Sequence, residues 1–238
     1  MTSDEHMTNP DVRRELDRLL DEWRNDPSAT HTKIGQDSYS WFAQAVQLRR
    51  AAELLEPDML KSYAWSKELD GAGVPPRFPI QPPVYGAYTL LSGLSLELLA
   101  KAVLIERNPT LVDQGRLTKW RDNGHGLVGL LEQVGILLDA EDIYLAERLG
   151  ESVVWAGRYP IPWNASGMAP RQTPQGDMAA PGDFHPDRDP SRATVIWERL
   201  ENALIREWQE RAPLKAAAWH AIKTGELPGL PGIGMSKE

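Results

Sequence analysis

Apolar residues recur every three or four positions along most of the chain, which is the spacing of one face of an α-helix. This period predicts helices over about residues 10–25, 37–55, 84–107, 127–134, 139–158 and 191–211. Neither the strict alternation of a half-buried strand nor an internal repeat of about 20–50 residues is present. The predicted fold class is therefore all-α: an up-and-down helical bundle of four or five core helices with long Pro-rich loops.

Prolines set the predicted helix ends, because a proline inside a helix removes a backbone hydrogen bond and crowds the preceding turn. Pro27 and Pro213 are expected to stop the first and last helices. The second helix is expected to end near Pro57, with a few further turns around 59–65 as the open alternative. On the later helices, Ile143 and Val195 are predicted to belong to the buried faces.

Two segments are too rich in proline to be helical: residues 71–83 contain five prolines and residues 160–190 contain seven. The longer one is expected to be mobile or held by another surface, with Trp163, Met168 and Phe184 as its anchors. These segments suggest four regions, namely an N-terminal helical extension over 1–36, a bundle over 37–162, a Pro-rich loop over 163–190, and a C-terminal helix with a frayed tail over 191–238.

The segment 84–105 is apolar on nearly every side and carries only two charged residues, Glu97 and Lys101. Its length fits a membrane span, but ionisable groups are costly within the hydrocarbon core. We therefore predict a central helix surrounded by other helices, and no membrane partner.

Lys101 falls inside the apolar stripe that Leu94, Leu98 and Ile105 form at helical spacing, with Glu97 at its margin. Glu97 precedes Lys101 by four residues, which is the favourable order for an ion pair on a helix. Two interpretations stay open. The residues form a partly buried structural pair, or they belong to a polar site inside the bundle.

Two further positions are candidates for chemistry. His125 stands between Gly124 and Gly126 directly before a predicted helix, where a histidine can cap the helix or take part in proton transfer. Arg158 lies where the helix after Asp139 ends, and an arginine there is also favourable with the helix dipole for purely structural reasons. The candidate catalytic residues are therefore Glu97, Lys101, His125 and Arg158, and we predict that they converge in space.

Metal and cofactor signals are weak. Asp183, His185, Asp187 and Asp189 offer hard ligands at alternate positions of a Pro-rich loop, but a solvated acidic loop has the same composition. Phosphate-binding, dinucleotide-binding and zinc-protease motifs are absent from the sequence. We predict no cofactor and no metal.

Charge and cysteine content narrow the classes further. The chain of 238 residues has 26 basic and 34 acidic residues and a net charge of −8, so any contact with RNA or a nucleotide needs a local basic patch. It has no cysteine, which excludes disulfides, thiolate zinc sites and cysteine nucleophiles. The polar, acidic first residues predict neither a signal nor a transit peptide, and a cytoplasmic location is expected.

Several of these segments, in their order and spacing, resemble the HEPN superfamily of helical-bundle proteins of bacterial toxin–antitoxin and defence systems. The resemblance covers about residues 37–162. It is carried by the second helix over 39–55, SLELLAKAVLI over 95–105 with its E-L-L-x-K core, Asn108-Pro109, Gly124-His125-Gly126-Leu127 and Arg158-Tyr159-Pro160. Gly126 departs from the pattern, because many relatives have Asp or Asn after the histidine.

Ribonucleases of this superfamily carry an Arg-x4–6-His motif on a late helix, and here no histidine follows Arg148 or Arg158 at that distance. The resemblance therefore implies a binding or regulatory module in a defence or toxin–antitoxin setting. One alternative is a ribonuclease or nucleotide-handling toxin with a non-standard Glu/Lys/His/Arg site. A further alternative is a purely structural helical adaptor. The resemblance also implies a homodimer, with an antitoxin or defence-system protein as a further partner.

Overall fold

The computed structural model describes residues 14, 17–18, 20–21, 24–71, 84–113, 116–117, 125–156, 169–179 and 184–224. The all-α prediction is confirmed. The described helices with defined ends are α1 (Pro27–Gly35), α2 (Ser38–Gly71), α3 (Tyr85–Arg107), α4 (Leu127–Val134), α5 (Ala140–Glu151), α6 (Asp189–Arg211) and α7 (Pro213–Thr224). A 3₁₀ turn follows α3 at Pro109–Leu111, and a π-helical turn follows α5 at Ser152–Ala156.

The central element is α3, which contacts α2, α4, α5, α6 and the π-helical turn. Other helices surround α3 on nearly every side, which matches its apolar surface. Its residues from Leu96 to Ile105 are almost all buried. Among the described helices it is the one long and apolar enough to cross a membrane, but 78% of its most apolar window is covered by the rest of the protein. It is the core helix that the sequence predicts.

Two prolines begin helices that the sequence analysis did not predict. Pro27 is the first residue of α1, and the Asp26 side chain caps this helix by accepting a hydrogen bond from the Ala29 amide at 2.8 Å. Pro213 is the first residue of α7. Proline suits a first helical position because the amide hydrogen it lacks has no partner there anyway. Each proline also stops the helix before it, as expected, because residues 24–25 are helical while Asp26 is not, and α6 ends at Arg211. The helices that begin at Pro27 and Pro213 were missed.

Pro57 lies inside α2, so the expected end of this helix near Pro57 was also wrong and the longer alternative is the correct one. Burial explains the continuation. Met59 is fully buried and packs with Ala52 and Tyr88 in a small second apolar cluster. Phe184 contacts the same cluster, and its ring centroid lies 5.5 Å from that of Tyr88. Tertiary packing thus offsets the hydrogen bond that the proline removes.

Helices α4 and α5 form a packed pair, and α5 crosses α3 closely at Gly93. A Cβ at Gly93 would lie 2.6 Å from the Leu149 carbonyl oxygen, so only glycine allows this crossing. Ile143 and Val195 are exposed on α5 and α6, and their predicted burial was wrong. The buried face of α5 is rotated instead toward Leu145 and its neighbours, and it includes charged residues.

Helix α6 packs into the same core as α2 to α5, through residues that include Ile196, Leu200 and Trp208. The described residues contain only two antiparallel ladders of two-residue strands. These are β1 (Val112–Asp113) with β2 (Arg116–Leu117), and β3 (Arg171–Gln172) with β4 (Met178–Ala179). The second ladder is a hairpin beside α5 that matters for the site below.

Candidate functional site

Glu97 and Lys101 form a buried ion pair on α3. The Lys101 Nζ atom lies 2.6 Å from Glu97 Oε1, and the two side chains are only 6% and 3% exposed. The ring of Trp41 on α2 lies 6.0 Å from Lys101 Nζ, at the outer limit of a cation–π contact. The helical spacing therefore predicted this pair correctly, and the pair is fixed rigidly in the core.

His125 reaches Glu97 from the other side. Its Nδ1 atom lies 3.2 Å from Glu97 Oε2, while half of its side chain (51%) is exposed. A charged carboxylate only accepts hydrogen bonds, so this contact is a hydrogen bond in the tautomer that carries its hydrogen on Nδ1, and in that tautomer Nε2 is an acceptor. We call Glu97, Lys101 and His125 the His125 site.

Local sequence sets the position of His125. It stands two residues before α4, and the next residue, Gly126, is the N-cap of α4 in an extended conformation without a side-chain cap. Gly150 on α5 faces this turn, since a Cβ placed there would lie 3.7 Å from the His125 carbonyl oxygen and from the Leu127 amide nitrogen. The α4 and α5 pair therefore holds His125 against α3.

His125 lines an open cleft of about 640 Å³ between the beginning of α4 and the end of α5. A volume of roughly 300–1,000 Å³ is typical of small-molecule sites. Within the described part of the chain, Glu97 and Lys101 are not among the lining residues, and His125 connects them to the cleft. The lining residues are His125, Gly126, Leu127, Val128, Gly129, Ala146, Glu147, Gly150, Glu151, Val154 and Arg171.

Among the described lining residues of the cleft, the charged ones are Glu147, Glu151 and Arg171. Arg171 pairs with Glu151 through one guanidinium nitrogen, and another lies 3.7 Å from Glu147. Burial raises the pKa of Glu151 above its ordinary value, although Arg171 opposes the rise. Glu151 Oε2 is buried and accepts no hydrogen bond among the described residues. The cleft is thus lined by a carboxylate whose second oxygen is buried and has no donor among the described residues.

The prediction that four residues converge is met for the three that lie in the described part of the chain. Glu97, Lys101 and His125 are in contact. Arg158 lies outside the described residues, so its place in the cluster stays a prediction. The roles differ from the expectation in one respect. Only His125 lines the cleft, whereas Glu97 and Lys101 position it from the core.

Asp183, His185, Asp187 and Asp189 were the weak metal candidates in the acidic loop, and in the described part of this loop Asp189 forms an ion pair and accepts a hydrogen bond. Asp183 lies outside the described residues. Asp189 is buried, accepts a hydrogen bond from the His185 amide at 2.7 Å, and pairs with both terminal guanidinium nitrogens of Arg148. Asp187 is exposed. No group of three or more metal-ligating side chains occurs within the described ranges.

Arg148 and Asp189 belong to a charged cluster that sequence reasoning missed. Arg148 Nη1 lies 2.7 Å from Asp189 Oδ2, and nearby Asp142 on α5 accepts from Arg192 and Arg199 on α6 at 2.8 and 2.9 Å. We call these five residues the Arg148 clamp, because they join α5 to α6. Part of the signal was visible, since Asp139 stands at the N-cap position of α5 and accepts a hydrogen bond from the Asp142 amide.

Comparison with known proteins adds no identification. No protein-family model matches the chain, and neither a curated protein nor a solved structure matches it. The fold and the cleft define an all-α bundle in which His125 is held at the edge of an open cleft by a buried ion pair.

Proposed function

We propose that the protein is a helical binding module and that the cleft beside His125 is its ligand site. The observation that carries this proposal is the position of His125, which is half exposed at the cleft while its Nδ1 contacts the nearly fully buried Glu97. A side chain fixed on one edge and free on the other is pre-organised for contact with a ligand. The proposed role corresponds to the binding or regulatory role that the HEPN resemblance implies.

Gly150 provides the test of this site. A Cβ at Gly150 lies 3.7 Å from its nearest neighbours, so Gly150→Ala narrows the cleft without a clash. Alanine also favours a helix over glycine by about 0.5–1 kcal/mol, so the variant is expected to fold and to be slightly more stable. Gly71→Ala is the matched control, because Gly71 ends α2, has open space around it and does not line the cleft.

The experiment follows the ring resonances of His125 by NMR while AMP, a single-stranded RNA hexamer, agmatine or inorganic phosphate is added. At least one probe is expected to shift these resonances, and Gly150→Ala is expected to weaken that binding while Gly71→Ala leaves it unchanged. If no probe moves His125, or if Gly150→Ala binds as the wild type does, the cleft is not a ligand site.

A second candidate is an enzyme that uses His125 in acid–base chemistry, as a ribonuclease or nucleotide-handling toxin. The observation that favours it is the contact between Nδ1 and a buried carboxylate, which leaves Nε2 able to take a proton from a substrate. Against it, the one cation in the described lining of the cleft, Arg171, is already paired with carboxylates. Cleavage of labelled RNA that His125→Ala abolishes would establish the enzyme instead.

The structural-adaptor alternative treats the buried Glu97–Lys101 pair as a stability element alone. It predicts that His125→Ala changes no binding and no activity. The homodimer and the defence-system partner stay predictions of the HEPN resemblance. Light scattering at micromolar concentration tests the dimer, for which twice the chain mass of 26.6 kDa is expected.

A further inference from the structure

Arg171 enters the cleft from outside the helical bundle. It stands on β3, in a hairpin whose strands have only two residues each, and its guanidinium group reaches Glu151 and Glu147 on α5. The cation is thus supplied by a small surface hairpin, whereas both carboxylates belong to a core helix.

The cleft has more hydrogen-bond acceptors than Arg171 satisfies. Glu151 Oε1 accepts from Arg171, but Glu151 Oε2 is buried and accepts from no described residue. In the tautomer in which Nδ1 donates to Glu97, Nε2 of His125 is a further acceptor beside the same cleft. A buried acceptor without a donor costs free energy, so a ligand that supplies donors here gains affinity.

Charge in the cleft favours the same kind of ligand. Among the described lining residues, two carboxylates face one guanidinium, which leaves an excess of negative charge there. The N-terminus of α4 also borders the cleft, but a helix end contributes only about half an elementary positive charge. The balance therefore favours a cation over a phosphate or a carboxylate.

We propose that the cleft receives a guanidinium or primary ammonium group, and that Arg171 occupies this place as an internal substitute in the absence of ligand. The proposal rests on the proposed function, because it names the ligand class of that same cleft. The incoming cation displaces Arg171 from Glu151 and also donates to the oxygen that Arg171 leaves unpaired. The group belongs either to a small free amine or guanidine or to an arginine or lysine side chain of a peptide.

The direction in which Arg171→Ala changes the ligand affinity tests this proposal. Removing a cation that competes for the site strengthens the binding of a cationic ligand, whereas removing a cation that binds the ligand weakens the binding of an anionic one. Arg171→Ala is therefore expected to bind agmatine at least about tenfold more tightly than the wild type, and Glu151→Gln at least about tenfold more weakly. Arg50→Ala is the control, because Arg50 is an exposed arginine beside Glu53 on α2, away from the cleft.

The measurement is the shift of the His125 ring resonances in the full chain on titration with agmatine, with an acetylated Gly-Arg-Gly amide, and with inorganic phosphate. Tighter binding of the peptide than of agmatine assigns the group to a partner side chain, and the reverse assigns it to a free small molecule. If Arg171→Ala fails to strengthen the binding of either cation, the inference is overturned. If inorganic phosphate binds instead, and Arg171→Ala weakens that binding, the inference fails while the ligand site itself stands.

Discussion

The Arg148 clamp and the His125 site both contain buried charged residues, but only the His125 site includes a side chain that is half exposed at a cleft. In the Arg148 clamp, Arg148 and Asp189 are 5% and 1% exposed, and each carboxylate oxygen of Asp189 accepts from a guanidinium nitrogen. In the His125 site, the Glu97–Lys101 pair is similarly buried, and Glu97 also contacts the imidazole of His125, which is half exposed at a cleft. The first cluster joins two helices, whereas the second holds one surface group in a fixed orientation.

The difference shows why buried charge alone does not mark a functional site. Paired charges in a core often have only a structural role, and replacing such a pair by apolar residues can be neutral or stabilising. The two clusters differ in what the buried pair contacts. In the His125 site, the pair contacts a half-exposed histidine at the cleft. In the Arg148 clamp, the charges of one helix contact those of another helix.

The largest effect is expected from Arg148→Ala. The substitution leaves Asp189 buried without its bidentate partner, and breaking a buried pair in this way typically costs about 3–5 kcal/mol. Urea unfolding measures the loss, and Arg148→Ala combined with Asp189→Asn is expected to recover part of it. A loss below about 1 kcal/mol would mean that the clamp does not hold α5 to α6.

Lys101→Ala is expected to cost less, about 2–3 kcal/mol, although it also leaves a buried carboxylate behind. The reason is that Glu97 keeps its contact with His125, whose exposed half lies in an open cleft. Thermal and urea unfolding of both variants under the same conditions give the comparison. A Lys101→Ala variant less stable than Arg148→Ala would contradict the proposed difference between the His125 site and the Arg148 clamp.

A smaller effect is expected at the N-cap of α5. Asp139→Ala removes the acceptor of the Asp142 amide and is expected to cost about 1 kcal/mol. This hydrogen bond, with Arg192 beside it, holds the pKa of Asp139 below its ordinary value. A carboxylate whose pKa is lowered on folding stabilises the protein above its unfolded pKa, and the contribution disappears as the pH falls through the folded pKa.

Asp139→Asn separates the cap from the charge, because asparagine keeps the capping acceptor but does not titrate. Between about pH 5 and 2, the wild type is expected to lose more stability than Asp139→Asn does. Equal pH profiles for the two proteins would show that the charge of Asp139 contributes nothing.

The smallest effect on stability is expected from His125→Ala. His125 is half exposed and Glu97 keeps Lys101 as its partner, so the loss is expected to stay within about 0.5–1 kcal/mol. The same variant is expected to abolish the response of the cleft to its ligand. Calorimetric unfolding measures the first effect and binding titration the second. A strongly destabilised His125→Ala protein would show that His125 has a structural role.

The fold was predictable where local pattern and burial agree. The apolar stretch around Leu96–Ile105 predicted the central helix, and the segment Leu127–Val134 has the predicted ends. Prolines were the main source of error. A proline is compatible with the first position of a helix as well as with its end, so Pro27 and Pro213 do not by themselves tell the two apart. Pro57 needed the buried contact of Met59, which no local pattern reveals.

The site was predictable only within one helix and its neighbouring motif. Spacing alone pairs Glu97 with Lys101, and the glycines beside His125 mark it as unusual. Glu151 and Arg171 carry no such signal, because their contact joins a helix to a hairpin 20 residues further along the chain. The Arg148–Asp189 contact spans 41 residues for the same reason. Long-range pairs of common charged residues become visible only when the fold brings them together.

The proposed ligand site depends on Glu97, which fixes His125 so that Nε2 remains available at the cleft. Nitrogen-15 NMR of the His125 ring tests this dependence, on the wild-type protein at a pH where the ring is neutral. The hydrogen is expected on Nδ1, and Glu97→Gln is expected to shift the tautomer balance. A wild-type ring with its hydrogen on Nε2, unchanged by Glu97→Gln, would show that Glu97 does not fix the ring.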